Sequence, residues 1–304
     1  MIYEGILKMK IGIIGAGSIG LLFAAHLSRS HEVTLYTRTI EQAADINNHG
    51  IVMKSAGTSS VSYVSAKPLT SWTGTEDIAI VAVKQYHLLA VFEYMEKLSQ
   101  VPATILFLQN GMGHLKLLET LDSAHIFVGT VEHGALKENS YTVKVNGLGV
   151  TNVAVYKGDI EKLNSFIHSA PNAFPFLVRP NYFEMLLDKL VVNAVINPLT
   201  AILGVKNGAL IENQFYYLLL MRLFAEISSV LRLRDHEKYL QAVISICKKT
   251  ADNRSSMLKD IEANRMTEVE AILGFVLDEA KKQRIDVPLT EALYFAIKGK
   301  EESL

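Results

Sequence analysis

Lys10-Ile11-Gly12-Ile13-Ile14-Gly15-Ala16-Gly17-Ser18-Ile19-Gly20 reads as a strand, a turn and the start of a helix. The Ile11–Ile14 run suits a strand buried on both faces, as in a parallel sheet. Gly15-x-Gly17-x-x-Gly20 follows directly, and an apolar helical stretch, Leu21–Ser28, comes next. Each glycine meets a different steric demand. Gly15 permits the tight turn, Gly17 lets a pyrophosphate approach the backbone, and Gly20 lets helix and strand pack closely. Free amides at the positive end of the helix would then hold the phosphates. Gly15, Ala16, Gly17, Ser18, Ile19 and Gly20 thus form a candidate dinucleotide loop. A GxGxxG string alone is weak evidence; its place between a strand and a helix makes it informative.

The next strand, Glu32–Tyr36, runs into Tyr36-Thr37-Arg38-Thr39. NAD sites usually carry an acid at this strand end, to bond the ribose 2′-hydroxyl. Here there is none, and Arg38 can offer paired donors to a 2′-phosphate, which favours NADP over NAD. The plainer reading makes Arg38 a solvated surface residue. Asp77–Lys84 and Thr104–Gln109 are two more strands, each followed by helical sequence, and this alternation predicts a parallel sheet covered on both sides. Residues 51–66 and 141–156 have glycine-punctuated β-branched patterns, expected to form antiparallel additions or hairpins.

From Asn181 the texture becomes helical, over 182–203, about 209–233, 236–250, 267–284 and 289–298, with no strong strand signal. Pro171, Pro175 and Pro180 punctuate the change. The expected organisation is an α/β dinucleotide-binding domain, 1–178, followed by an all-α domain, 179–304.

Within the first of these helices, Lys189, Asn193 and Asn197 fall at i, i+4 and i+8, about 40° apart per step. Leu190, Val191, Val192, Ala194, Val195 and Ile196 lie between them. A helix this apolar is buried almost all round, and a buried ammonium with two amides is costly unless something polar meets them. A ligand would serve, and so would a polar contact between helices. Lys84 and Asn110 end two predicted strands, where ligands bind in open α/β sheets; Asn110-Gly111 also reads simply as a turn. Asn253 and Ser256 sit in a polar stretch, Asp252–Ile261, and Glu268 follows twelve residues after Ser256. These fit solvated loops and caps too, with Thr267 capping a helix whose first turn holds Glu268 and Glu270.

The 304 residues have 49% hydrophobic and 20% charged content and a net charge of −1, so a large core fits and a basic nucleic-acid-binding field does not. The single cysteine, Cys247, excludes an intrachain disulfide framework and fits a reducing compartment. The nine histidines show no metal-binding spacing, and His133 reads as a core or loop histidine. No apolar run reaches the ~20 residues of a membrane span. The start lacks the pattern of a secretory signal, and the residues before Met9 receive no role. Trp72, in a polar loop, is uninformative. The apolar run Phe215–Leu220 exceeds what one helix face requires, which allows a homodimer interface or plain core.

GAGSIG (15–20), VAVK (81–84), QNGMG (109–113), KLVVNAVINPLTAILGVKNGAL (189–210) and NRSSMLKDIEANRMTE (253–268) together closely resemble the ketopantoate reductases, over essentially the whole chain from Met9. The resemblance implies a Rossmann-type domain holding NADPH, a helical domain like that of 6-phosphogluconate dehydrogenase relatives, and cytoplasmic reduction of 2-dehydropantoate to (R)-pantoate in the cleft between the two domains. Lys189 is then the electrophile and general acid for the ketone oxygen, and Glu268 accepts from the substrate's terminal hydroxyl and pairs with Lys189. Asn193 and Asn197 orient the substrate, Ser256 with Asn253 meets its carboxylate, Asn110 orders nicotinamide and substrate, and Lys84 holds a cofactor or substrate oxygen. Two other readings stay open: a paralogue acting on another branched 2-keto acid, and a non-catalytic NADPH sensor.

Overall fold

The computed structural model describes residues 8–55 and 57–302. The leading segment, given no role above, lies outside them up to residue 7. Two compact units make up the chain: Met1–Gln109 with Lys116–Met185, and Asn110–Leu115 with Leu186–Leu304.

The first unit opens with β1 (Lys10–Ile14), α1 (Ser18–Leu27), β2 (Glu32–Thr37) and α2 (Ile40–His49). Three short strands follow, β3 (Ile51–Ser55), β4 (Thr58–Ser62) and β5 (Ser65–Pro68), then β6 (Ile78–Val81), α3 (Leu88–Met95) and β7 (Thr104–Phe107). After the one-turn α4 (Leu115–Leu118) come β8 (His125–Val131), β9 (Gly134–Lys137), β10 (Thr142–Gly147), β11 (Thr151–Lys157), α5 (Ile160–Ser169) and β12 (Phe176–Val178).

The main sheet has the order β12-β11-β8-β7-β6-β1-β2-β5. From β5 to β8 all pairs are parallel. The chain moves outward from β1 on one side and returns on the other at β6, so the strand order reverses beside β1. That switch point is where open α/β sheets bind ligands. β1 is central because it is apolar after Lys10: Ile11, Ile13 and Ile14 are almost wholly buried.

The expected antiparallel additions are partly antiparallel. β3 with β4 and β9 with β10 are antiparallel hairpins, and β11 runs antiparallel to β8. Yet β3 and β10 pair in parallel, completing a four-stranded sheet, and β5 joins the main sheet parallel to β2. Alternation along a strand reports its buried face, not the direction of its partner. Trp72, uninformative in the sequence, is buried; its Nε1 donates to Glu76, which also accepts from the Tyr36 hydroxyl. His133 is a core histidine stacked on Phe174. Its Nδ1 accepts from the Gly149 amide, so Nε2 carries the proton that faces Thr151 Oγ1.

The second unit is helical, with no strand among its described residues: α6 (Tyr182–Leu203, begun in the first unit), α7 (Ala209–Glu212), α8 (Gln214–Val230), α9 (His236–Lys249), α10 (Ser256–Glu262), α11 (Phe275–Gln283) and α12 (Pro288–Glu302). The helix expected over 209–233 is two, because Asn213 breaks it and caps α8 by accepting from the Phe215 and Tyr216 amides. The 267–284 stretch begins with a π turn, Glu270–Gly274, before α11. α6 corrects the expectation about spans: at 22 residues and mean hydropathy 1.5 it is long and apolar enough to cross a membrane, although 67% of its most apolar window is buried in the protein. Asp188 and Lys189 interrupt the run, which hid its overall hydropathy. Buried Cys247 sits on the packed face of α9.

Candidate active site

In the first unit the glycine loop links β1 to α1. Gly15 has φ +106°, and a β-carbon there would come within 2.7 Å of Val83. A β-carbon at Gly20 would lie 1.8 Å from the Gly15 carbonyl oxygen, so only glycine lets the first turn of α1 rest on the loop. At Gly17 a β-carbon would meet nothing within 4 Å. Gly17 is the exposed N-cap of α1 and makes no side-chain cap, so the first helical amides, from Ser18 and Ile19, have no protein oxygen supplied by a capping side chain. Packed glycines on either side of an open one suit a loop that admits phosphate oxygens to its amides.

Arg38 follows β2 and is exposed. Its turn is fixed from both sides: Thr37 Oγ1 donates to the Thr39 carbonyl at 2.7 Å, and Thr39 caps α2 by accepting from the Gln42 amide. Lys84 lies three residues beyond the end of β6, half-buried, with its ammonium 5.9 Å from the centre of the Tyr86 ring. His87 has its pKa lowered by burial, and also by the charges of Arg38 and Lys84. Two residues the sequence reading missed join this group. Gln42 Nε2 and Lys137 Nζ both donate to the Ala16 carbonyl, at 2.9 and 3.0 Å. Burial, and next the charge of Arg38, lower the pKa of Lys137. The residues fit a phosphorylated dinucleotide, since no side chain caps the first amides of α1 and the titratable side chains that perturb one another there are basic; the Gly15 amide itself is taken by the Tyr36 carbonyl, which fixes the turn.

In the second unit Lys189, Asn193 and Asn197 share a face of α6, the first two half-buried and Asn197 buried. Pro198 lies within α6, so its missing N–H leaves the Ala194 carbonyl without its usual helical donor. α6 is tied to α10 by Thr200 Oγ1, which donates to Ser255 Oγ at 2.7 Å, while Ser255 caps α10 by accepting from the Leu258 amide. This brings Asn197 and Ser256 together, with Asn197 Nδ2 3.5 Å from Ser256 Oγ. Ser256 itself is exposed, available to a partner beyond the protein. Asn253 is also exposed, and its contacts are made by its backbone: its carbonyl accepts from the Asn207 amide and its N–H donates to Thr250.

Asn110 and Glu268, 158 residues apart, are brought together: Asn110 Nδ2 donates to Glu268 Oε2 at 2.9 Å. Glu268 is buried. It stands at a helix start, as the cap reading supposed: its carbonyl accepts from the Ile272 amide at 3.1 Å, and the helix passes into the π turn two residues later. Thr267 does act as a cap, its Oγ1 accepting from the Val269 amide. The backbone beside Glu268 is held in turn by buried Glu301 of α12, which accepts from both the Thr267 amide, at 2.8 Å, and its hydroxyl, at 2.7 Å. Lys298 pairs with the same carboxylate at 2.9 Å. Gly111, at φ +78°, is pressed by the π turn, since a β-carbon there would lie 2.1 Å from the Ala271 carbonyl oxygen. The Asn110-Gly111 turn is therefore both a turn and the support for a buried carboxylate. No cluster of metal-ligating side chains occurs among the described residues.

Family models for "Ketopantoate reductase PanE/ApbA" and its C-terminal part match residues 11–158 and 181–301. The chain is 41% identical to the 2-dehydropantoate 2-reductase of Bacillus subtilis (strain 168), over 97% of this chain and 98% of that one. A solved structure described as a probable 2-dehydropantoate 2-reductase from Bacillus subtilis superposes with a TM-score of 0.88 at 40% identity, over 96% of this chain and 100% of that one. A dimeric ketopantoate reductase from Staphylococcus aureus shares the fold, with a TM-score of 0.81 at 23% identity over 97% and 99% of the two chains.

Proposed function

The chain belongs to the ketopantoate reductase family, and from that premise we propose that it reduces the C2 ketone of 2-dehydropantoate to (R)-pantoate with NADPH, a step toward pantothenate and coenzyme A. The observation that supports the reading is the buried Glu268 carboxylate held by Asn110, in the same compact unit as the Lys189, Asn193, Asn197 face of α6.

Bound NADPH supplies the hydride that the ketone carbon accepts. Gly15 to Gly20 hold its phosphates, Arg38 favours the 2′-phosphorylated form, and Lys84 meets a cofactor or substrate oxygen. The Lys189 ammonium stabilises the charge that grows on the ketone oxygen and donates the proton that completes the alcohol. Glu268 accepts from the terminal hydroxyl of the substrate and pairs with Lys189. Asn193 and Asn197 orient the substrate, Ser256 and Asn253 donate to its carboxylate, and Asn110 orders the nicotinamide end while holding Glu268. An aliphatic keto acid without the hydroxyl gives Glu268 no donor beyond that of Asn110, which disfavours a different branched substrate.

The test is loss of NADPH absorbance with purified protein, comparing 2-dehydropantoate with 2-ketoisovalerate. The reading expects turnover with the first at far higher kcat/KM. Equal rates would indicate the paralogue, and cofactor binding without turnover would indicate a sensor. Lys189→Ala is expected to lower kcat by ~10²–10⁴ while NADPH affinity stays near wild type; unchanged turnover would remove Lys189 from the chemistry.

The same proposal includes a homodimer. Phe215 and Leu218, one turn apart on α8, are 66% and 57% exposed, more apolar surface than a monomeric helix face needs. Sedimentation analysis of wild type against Phe215→Ser decides it. The cytoplasm is the compartment we assign, which suits the lone Cys247.

A further inference from the structure

Lys137 ends β9, far from the glycine loop in sequence, yet its ammonium donates to the Ala16 carbonyl at 3.0 Å. It is half-buried. Arg38 is close enough for its charge to disfavour the protonated lysine. Among the described residues, no ion pair joins either cation to a carboxylate. Glu138, the neighbouring acid, turns to Lys54 at 2.7 Å, and Asp45, on α2, accepts from Ser140. Two neighbouring cations, one of them partly desolvated and satisfied only by a neutral carbonyl, are unfavourable on their own. A dianion would relieve both at once.

The place of this pair identifies the anion. In doubly wound folds the end of the second strand lies against the ribose 2′ position, whereas the pyrophosphate lies on the amides that follow the loop. Arg38 is at that strand end, and Lys137 reaches the loop from the side on which α2 also sends Gln42 to the Ala16 carbonyl. We propose that Lys137 is a second ligand of the adenosine 2′-phosphate, so that Arg38 and Lys137 together set the preference for NADPH over NADH. The inference rests on the NADPH reading above and adds a residue to it. Lys137 can give up or share the Ala16 carbonyl when the phosphate arrives, because an ammonium has three donors.

The experiment is fluorescence titration of wild type, Arg38→Ala, Lys137→Gln and Lys137→Arg with NADPH and with NADH. Lys137→Gln keeps an amide donor for the Ala16 carbonyl but removes the charge. It is expected to weaken NADPH about tenfold, the loss of one charge-assisted contact, and NADH by less than about twofold; Lys137→Arg restores most of the NADPH affinity. Equal losses for both cofactors, or none, would overturn the proposal and leave Lys137 a tether of the loop. A wild type without preference for NADPH defeats the cofactor reading and the inference together. Selectivity lost in Arg38→Ala but kept in Lys137→Gln defeats the inference alone. Arg38→Ala needs no change at Lys137 and so covers the case in which Lys137→Gln does not fold: with Lys137 intact it should retain a partial, salt-sensitive preference for NADPH, and complete loss of preference there overturns the proposal.

Discussion

A β-carbon at residue 20 would sit 1.8 Å from a backbone oxygen, while one at residue 17 would meet no atom within 4 Å. The same substitution therefore has two different expected outcomes. Gly20→Ala should cost stability by roughly 2–3 kcal/mol or more, because the obstacle is main chain and cannot swing aside. Gly17→Ala should melt within a degree or two of wild type and bind NADPH at least tenfold more weakly, since its methyl group fills space meant for phosphate. Thermal melts and cofactor titrations of the two variants check this; full NADPH affinity in Gly17→Ala would mean the phosphates lie elsewhere. These tasks were legible in the sequence because each is set by steric demands within a few residues. The Asn110–Glu268 contact and the Lys137–Ala16 contact were not, as each joins residues more than a hundred positions apart. Glu268 could be marked as a site residue only through the family resemblance; on local pattern alone it passes for a helix-start acid.

Among the elements, α12 has a task beyond packing. Its Glu301 carboxylate satisfies the amide and hydroxyl of Thr267, and so fixes the backbone that carries Glu268. Glu301→Ala would leave the buried Thr267 amide without an acceptor, costing roughly 1–3 kcal/mol. It should also raise KM for the keto acid several-fold while the NADPH dissociation constant stays within about twofold, and Glu301→Gln, which keeps one acceptor, should recover part of the KM loss. A variant that loses stability with unaltered KM would reduce Glu301 to a structural residue. The span of α6 was readable from its apolar period, and the strands near the loop from their buried runs. What pattern could not supply was the break at Asn213 and the π turn at Glu270–Gly274. In the first a side chain competes with the helix for its own amides, and in the second helical periodicity continues while the hydrogen-bond spacing changes.

For the whole molecule, the two-part organisation was legible because strand alternation gives way to helical period near three prolines. Its response to acid was not, since that depends on which histidines are enclosed. His26 in the first unit and His114 in the second are both buried, and neither ring nitrogen of either finds a hydrogen-bond partner among the described residues. Burial lowers the pKa of each to about 4, from an ordinary 6.5, with Arg29 and His133 adding to the effect at His26. The folded protein then keeps both rings neutral between those values while the unfolded chain takes up protons, so stability is fully present above about pH 6.5 and falls as the pH drops toward 4. At pH 5 the loss is roughly 2 kcal/mol for each histidine. The melting temperature should therefore fall clearly between pH 7.5 and pH 5. Combining His114→Leu with His26→Phe, which preserves the stacking of that ring on Phe174, should flatten most of the decline. The comparison is the pH slope rather than the melting temperature itself, so that any packing cost of the substitutions, present at both pH values, cancels. An equally steep slope in the double variant would assign the acid sensitivity to the carboxylates and not to these two rings.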